Sequence, residues 1–317
     1  MPTDVLMKPT AHHHPGRHAG RCPPQRGFTL VELIVVIVIT AIIASTIVVF
    51  LRPALDSYVD TRLRSDLSDQ ADTALRRIVR DVRQSVPNSL RMATSQCFEV
   101  VPSIAGGRYR MGPDVVNDTP NPCSTPSGTC AAWVDPSQGP STFDTLTTLS
   151  TTPAVGDWIV INNQNGNDVY EGTNRWAVTA VSTPAATQGK LRLSVSAAGA
   201  GTALSAGYDG GRFQVVSNAQ QSVFYVCSGA DGTVNARGDG KGTLYRLKRS
   251  FTATYPTACP AVTGADVLAT NVRRCTFVYD PNQGATQQSG FLWLNLELTR
   301  NNETASLAMG AHVMNVP

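Results

Sequence analysis

Gly27-Phe28-Thr29-Leu30-Val31-Glu32-Leu33 opens an apolar run that reaches Leu51 and carries a single carboxylate. From Phe28 to Leu51 a helix would measure about 36 Å. A hydrocarbon core is roughly 30 Å thick, so the run is long enough to span a bilayer with some tilt. Glu32 is the only ionisable side chain within it. A carboxylate at mid-bilayer costs on the order of 2.5–3.5 kcal/mol, and less near an interface, so Glu32 calls for a partner. A secretory signal would have an apolar region of only about 7–15 residues. A lipoprotein signal at Cys22 fails because His18-Ala19-Gly20-Arg21 follows no apolar stretch. An ordinary signal anchor leaves the spacing from Gly27 to Glu32 to chance.

Gly27 followed by Phe28-Thr29-Leu30-Val31-Glu32-Leu33 and a long apolar helix resembles the class III signal of type IV pilins and pseudopilins. The resemblance implies that a membrane prepilin peptidase cuts between Gly27 and Phe28 on the cytoplasmic side and methylates the new amine. It also implies that Glu32 pairs with the terminal amine of a neighbouring subunit as helices stack into a filament. The first 27 residues hold Lys8, Arg17, Arg21 and Arg26 against Asp4. Their removal leaves 22 basic and 22 acidic side chains, so the overall basic balance belongs to the leader and gives no support to a nucleic-acid partner. Basic residues ahead of the apolar run hold that end in the cytoplasm and put everything after Arg52 outside, in the periplasm. Met7 as the start would shorten a leader that is unusually long for this family.

Cys22 lies in the leader, and Cys97, Cys123, Cys130, Cys227, Cys259 and Cys275 remain. An even set of six in an exported chain points to disulfides. Cys123 and Cys130 flank a short Ser-Thr-Pro-Ser-Gly-Thr loop and are placed to close it. The other pairings stay open, Cys227 with Cys259 or Cys259 with Cys275 among them. No CxxC pair occurs, and His312 is the only histidine beyond the leader, so no metal site is expected.

Beyond Arg52-Pro53, the residues Leu55, Tyr58, Val59, Leu63, Leu67, Ala71, Leu75, Ile78, Val82 and Val86 recur every three or four positions. That is the period of an amphipathic helix, here one kinked at Pro53 and ended by Pro87-Asn88. After Pro87, short β-rich runs alternate with Gly, Pro, Asn and Ser clusters. Nine strands are predicted, at 97–101, 157–161, 175–181, 191–195, 213–216, 223–226, 244–248, 275–279 and 291–298. In the last of these, Leu292, Leu294, Leu296 and Leu298 share one face, as a strand with a deeply buried side requires. Gly112 to Pro153, rich in Pro, Ser and Thr, reads as a stapled surface excursion with little to bury. The run from Gly229 to Gly242 reads as a long mobile hairpin connection.

The predicted fold is therefore α+β and type IV pilin-like, with a long N-terminal helix packed on an antiparallel β-sheet head. Its parts are a leader over 1–27, a membrane and filament-core helix over 28–51, an amphipathic continuation over 52–86 and a β-rich periplasmic head over 87–317 with the insert at about 112–153. Ala74-Leu75-Arg76-Arg77-Ile78-Val79-Arg80-Asp81-Val82-Arg83, Val86-Pro87-Asn88-Ser89, Gly106-Gly107-Arg108-Tyr109-Arg110, Leu268-Ala269-Thr270-Asn271-Val272, Cys275-Thr276-Phe277-Val278-Tyr279 and the closing His312-Val313-Met314-Asn315-Val316-Pro317 resemble MshO-type minor pilins of the mannose-sensitive haemagglutinin pilus. That group is similar to J-type pseudopilins of type II secretion. The resemblance implies a subunit that helps initiate or cap a pilus or pseudopilus. Its partners would be prepilin peptidase, other minor and major pilins, the inner-membrane assembly platform and, before assembly, lipid.

Two other classes compete. A tip adhesin would stack glycan rings on Trp133, Trp158 or Trp176. A membrane-anchored enzyme would depend on His312, because no Gly-x-Ser-x-Gly elbow, phosphate loop or convincing carboxylate pair occurs. Glu99 and Glu171 sit in separate segments. No cofactor is predicted and the chain is read as a non-enzyme. Arg237-Gly238-Asp239 is too short a match to indicate cell adhesion. Asp231, Asn235 and Asp239, like the Asn163–Asp168 stretch, miss the spacing of a calcium loop.

Overall fold

A computed structural model describes residues 27–121, 123, 125–197, 203–204, 210–283 and 289–315. The leader expected over 1–27 therefore lies outside the described residues apart from Gly27, as do Cys22, Met1 and Met7. The chain divides into two compact units, residues 1–57 and 58–317.

One helix, α1 (Leu30–Arg83), contributes to both units and runs through Pro53 without a break. In the first unit the helix from Leu30 to Leu51 is exposed all round and, apart from Glu32 and a few hydroxyls, apolar. By length and composition this part of the helix is able to cross a membrane. In the second unit the helix is two-faced. Leu67, Ala71, Ala74, Leu75, Ile78 and Val82 are buried at intervals of three and four, while the charged positions between them, Asp81 excepted, face outward or lie at the margin. The burial starts later than the periodicity suggested, since Leu55, Tyr58 and Val59 are exposed. The helix stops at Arg83, three residues short of the expected Val86, because the chain turns to pair elsewhere. The Val86 amide donates to the Val101 carbonyl at 2.9 Å, and Ser85 bridges Pro102.

Antiparallel pairing builds two sheets from the rest. The first contains β1 (Arg91–Thr94), β2 (Cys97–Val100), β9 (Ser222–Ser228), β10 (Gly242–Arg249), β11 (Asp266–Gln283), β12 (Ser289–Arg300) and β13 (Glu303–Met314), in that spatial order. The second orders as β3 (Ala105–Arg108), β8 (Arg212–Val216), β5 (Trp158–Val160), β6 (Arg175–Ser182), β7 (Arg192–Ala197) and β4 (Thr142–Asp144). A short helix, α2 (Asp168–Glu171), follows β5. The α+β class, with the N-terminal helix packed on antiparallel sheet, holds.

The buried stripe of α1 packs on one face of the first sheet, against Phe98, Tyr225, Phe277 and the leucines at 292, 294, 296 and 298. A polar clasp sits inside this contact. Asp81, on the buried face of α1, accepts from the Tyr225 hydroxyl at 2.6 Å and from Arg246 Nε at 2.9 Å and Nη2 at 2.7 Å. Burial, with Asp81 adjacent, holds the Tyr225 phenol well above its usual range, so it stays a donor.

The second sheet has its own core, including Tyr109, Phe143, Ile159, Trp176, Leu193 and Phe213. It corrects the reading of residues 112–153 as a surface excursion, because Val134 and Phe143 enter that core and β4 joins the sheet edge. Paired polar groups make this burial possible where apolar residues are few. Fully buried Asp144 takes two bonds from Arg192, at 2.6 and 2.8 Å, and a third from the Ala132 amide at 2.7 Å. Arg192 also donates to the Ser127 and Cys130 carbonyls, anchoring the loop that the Cys123–Cys130 disulfide closes. Val86, Val101, Val160, Val169, Tyr170 and Val216 form a further cluster, where the second sheet packs on α2 and on the segments that flank β1 and β2.

The other disulfides are Cys97–Cys259 and Cys227–Cys275, so neither Cys227–Cys259 nor Cys259–Cys275 forms. The reason is strand alternation. Val223, Tyr225 and Cys227 of β9 face the helix with Cys275, whereas Phe224 and Val226 face the other side with Cys97 and Cys259.

The Asp81 clasp yields a quantitative expectation. Asp81→Ala leaves Arg246 buried without its counter-charge and should lower stability by about 3–5 kcal/mol. Asp81→Asn keeps an acceptor and should lose less. Chemical denaturation of the full chain in detergent checks this, and equal stability of wild type and Asp81→Ala would show that the clasp contributes nothing.

Candidate functional site at the helix N-terminus

The residues singled out at the N-terminal end come together around the first turn of α1. Gly27, Phe28 and Thr29 lie outside regular secondary structure, and Leu30 is the first helical residue. Gly27 has open space where a side chain would be, and Phe28 is 84% exposed. The peptide bond between them therefore stands clear of the fold, just ahead of the helix.

Thr29 caps that helix. The Glu32 amide donates to Thr29 Oγ1 at 3.2 Å, and the Thr29 amide donates to Glu32 Oε2 at 3.3 Å. This reciprocal pair is a capping box, which satisfies two backbone donors that a helix start otherwise leaves without partners. The sequence signal was present as Thr29-x-x-Glu32, and the reading of Glu32 as solely a group awaiting an external amine overlooked it. Both side-chain bonds of Glu32 fall on Oε2, and Oε1 takes none among the described residues. Glu32 also sits about 4.5 Å along the axis from Thr29, near one end of the apolar run, where a charge costs less than at mid-bilayer. The partial positive charge of the helix start stabilises it further. The arrangement thus holds a carboxylate in an apolar helix while leaving one oxygen free for a cationic partner.

Elsewhere the candidate residues are put to structural use. Glu99 is buried, bonded to Arg91 Nη2 at 2.5 Å and to the Ser222 hydroxyl at 2.7 Å, and does not approach Glu171 as a catalytic pair would. His312 packs edge-on against Phe291, with ring centroids 5.1 Å apart. Of the tryptophans offered for sugar stacking, Trp176 is 2% exposed and unavailable, and Trp158 donates its indole N–H to Asn218 Oδ1. The most exposed indole belongs to Trp293 instead, at 47%.

The Gly229–Gly242 connection is also less free than its glycines suggested. Asn235 Oδ1 accepts from the Arg237 and Asp239 amides, and Asp239 Oδ1 accepts from the Asn301 amide, docking the loop on the β12–β13 turn. In the other asparagine-rich turn, Asp168 accepts from the backbone and side chain of Asn165. Among the described residues, no group of three or more His, Cys, Asp or Glu side chains is placed to hold a metal ion.

Residues 22–48 match the family model of the prokaryotic N-terminal methylation motif. No curated protein and no solved structure matches the chain. The matched span includes Gly27, Phe28, Thr29 and Glu32, the residues that form the site. The match supports a type IV pilin-family member anchored by its N-terminal apolar helix, and it suggests a structural rather than an enzymatic protein. It implies processing by prepilin peptidase and assembly with pilins.

The capping box is testable in isolation. Thr29→Val removes the hydroxyl acceptor at a cost of about 1 kcal/mol, which should quicken amide exchange over Leu30–Leu33 about fivefold. Hydrogen exchange of the full chain in detergent reads this directly, and unchanged exchange there would rule out the cap.

Proposed function

We propose that this chain is a minor pilin or pseudopilin that helps initiate or cap assembly of a type IV pilus or a type II secretion-like pseudopilus. The observation that carries the reading is the capped Glu32, one turn into an exposed apolar helix and five residues beyond Gly27, inside a methylation motif. In the proposed mechanism the peptidase cuts between Gly27 and Phe28, creating a cationic amine at a helix start. Residues 28–51 hold the subunit in the inner membrane with its N-terminus cytoplasmic and residues 87–317 in the periplasm. On assembly, the free oxygen of Glu32 accepts the amine of a neighbouring subunit, and the apolar face from Ile34 to Val49 exchanges lipid for neighbouring helices. The exposed stripe at Leu55, Tyr58 and Val59 extends the surface offered to those neighbours. The six exported cysteines, all disulfide-bonded, suit an oxidising compartment.

Two substitutions separate the steps. Gly27→Leu should leave the full-length mass unchanged in a host with prepilin peptidase, because a bulky side chain blocks cleavage. Glu32→Ala should be cut and inserted normally yet fall at least tenfold in sheared filament fractions. Normal incorporation of Glu32→Ala would sink the pairing mechanism, and cleavage of Gly27→Leu would misplace the processing site.

A further inference from the structure

Three of the four sheet edges are short, since β1 and β3 have four residues each and β4 has three. At β1 the Met92 amide is also covered, donating to the Tyr255 hydroxyl at 3.2 Å. The fourth edge is β13, twelve residues long. It pairs with β12 from Glu303 to Met314 without a bulge, and it holds no proline or lysine. Its one carboxylate, Glu303, is tied to Arg64 beside the turn. The devices that keep an edge from pairing are thus missing along β13. Its backbone is open in a regular pattern. Asn301 and Asn302 have φ of 51° and 64°, the two-residue turn that closes on a hydrogen-bonded pair, here Arg300 with Glu303. Bonded and non-bonded pairs alternate from there. Thr304, Ser306, Ala308, Gly310, His312 and Met314 fall at non-bonded positions, so their amides and carbonyls point away from β12. Thr299, opposite Thr304, obeys the same alternation, because its carbonyl turns away from β13 to accept from the Gly240 amide at 2.8 Å.

Beside this edge runs a groove lined by Arg76, Val79, Arg80, Arg83 and Gln84 of the α1 segment with Met309 and Gly310 of β13. Val79, Leu307 and Met309 pack on the core but are only partly buried, so the groove offers apolar surface that a further strand would cover. Its charge is of one sign. Arg76 is paired with Asp72 at 2.6 Å, whereas the side chains of Arg80 and Arg83 form no ion pair or hydrogen bond among the described residues. Toward the Glu303 end of the groove, α1 carries Asp66, Asp69 and Asp72 instead.

We infer that β13 accepts a further antiparallel strand from a different protein, an extended segment whose helix-side residues are carboxylates beside Arg80 and Arg83 and apolar beside Leu307. The outward amides and carbonyls of β13 supply the main-chain bonds that hold such a strand, and the two arginines select its sequence. Antiparallel is the direction in which strand pairing is the stronger. A second copy of this chain is a poor occupant. Its own β13 brings no carboxylate other than Glu303, already bonded to Arg64, and edge-to-edge pairing would carry its Arg80 and Arg83 toward the same groove. The site goes beyond the pilin reading and depends neither on cleavage at Gly27 nor on Glu32.

The test is hydrogen exchange of the full chain in detergent, with and without the synthetic peptide Thr-Glu-Thr-Glu-Thr-Val-Thr-Val-Thr at millimolar concentration. Paired antiparallel, its glutamates lie toward the Met314 end and its valines toward Leu307. It should slow the outward amides of Ser306, Ala308 and Gly310 by about tenfold or more, and leave those of Leu307 and Met309, already bonded to β12, unchanged. The same peptide with glutamine for glutamate should lose that protection, as should the acidic peptide on the Arg80→Glu, Arg83→Glu chain. Both arginines are exposed, so the fold should be kept. N-methylation of the peptide's threonines, which removes the donors facing β13, should abolish protection with the protein unaltered. No slowing by the acidic peptide would overturn the inference. Equal slowing by the glutamine peptide or on the charge-reversed chain would overturn the acidic partner, and slowing by the N-methylated peptide would show that the arginines bind acid without adding a strand. Slowing produced by raising the concentration of the chain alone would make the occupant a second copy and likewise contradict the inference.

Discussion

A buried carboxylate fixes how the helix meets the sheet. An apolar stripe of leucine, alanine, isoleucine and valine on α1 is attracted to any apolar surface, and by itself it tolerates sliding along that surface. Asp81 does not. Its Oδ2 accepts from Tyr225 on β9 and from Arg246 on β10, so only one axial position satisfies all three groups in a site that water does not reach. A slip by one turn would strand two charges and a phenol, a far larger loss than any gain from repacking methyl groups. The strands that carry Tyr225 and Arg246 lie mid-sheet, so fixing them positions the whole first sheet beneath the helix.

The same helix divides its work along its length. From Leu33 to Leu51 it carries no charge on any side, which leaves packing to lipid or to other helices. From Leu67 onward one face belongs to its own sheet and the other carries charge. The N-terminal carboxylate follows the same economy of placement. Glu32 is tolerable in an apolar helix because it closes the capping box with Thr29, and the oxygen left over is the one suited to an incoming amine.

How much of this was legible in the sequence depended on whether the signal was local. The interval from Gly27 to Glu32, the length of the apolar run and the leucine alternation in β12 are all contained in short windows, and each points to one structure. β13 escaped because Ala305, Leu307, Met309, Ala311 and Val313 alternate inward with too few branched or aromatic residues to look like a strand. β3 escaped because Gly106 and Gly107 have little strand propensity. A side chain at Gly107 would come within 2.5 Å of Thr147 Oγ1, so the glycine serves close packing rather than bending. The second core beneath residues 112–153 was hidden because its burial depends on Asp144 meeting Arg192, 48 positions away. Two of the three disulfides were undecided for a related reason. Which face a cysteine occupies follows from strand register, and register is a property of the assembled sheet.

The intact mass and N-terminal sequence of the full chain, made with and without a prepilin peptidase, decide whether α1 is a filament helix or an ordinary anchor. A filament subunit should begin at a methylated Phe28 only when the peptidase is present. An uncut chain in both hosts would contradict that role, leaving α1 as an ordinary anchor and Glu32 as part of a helix cap alone.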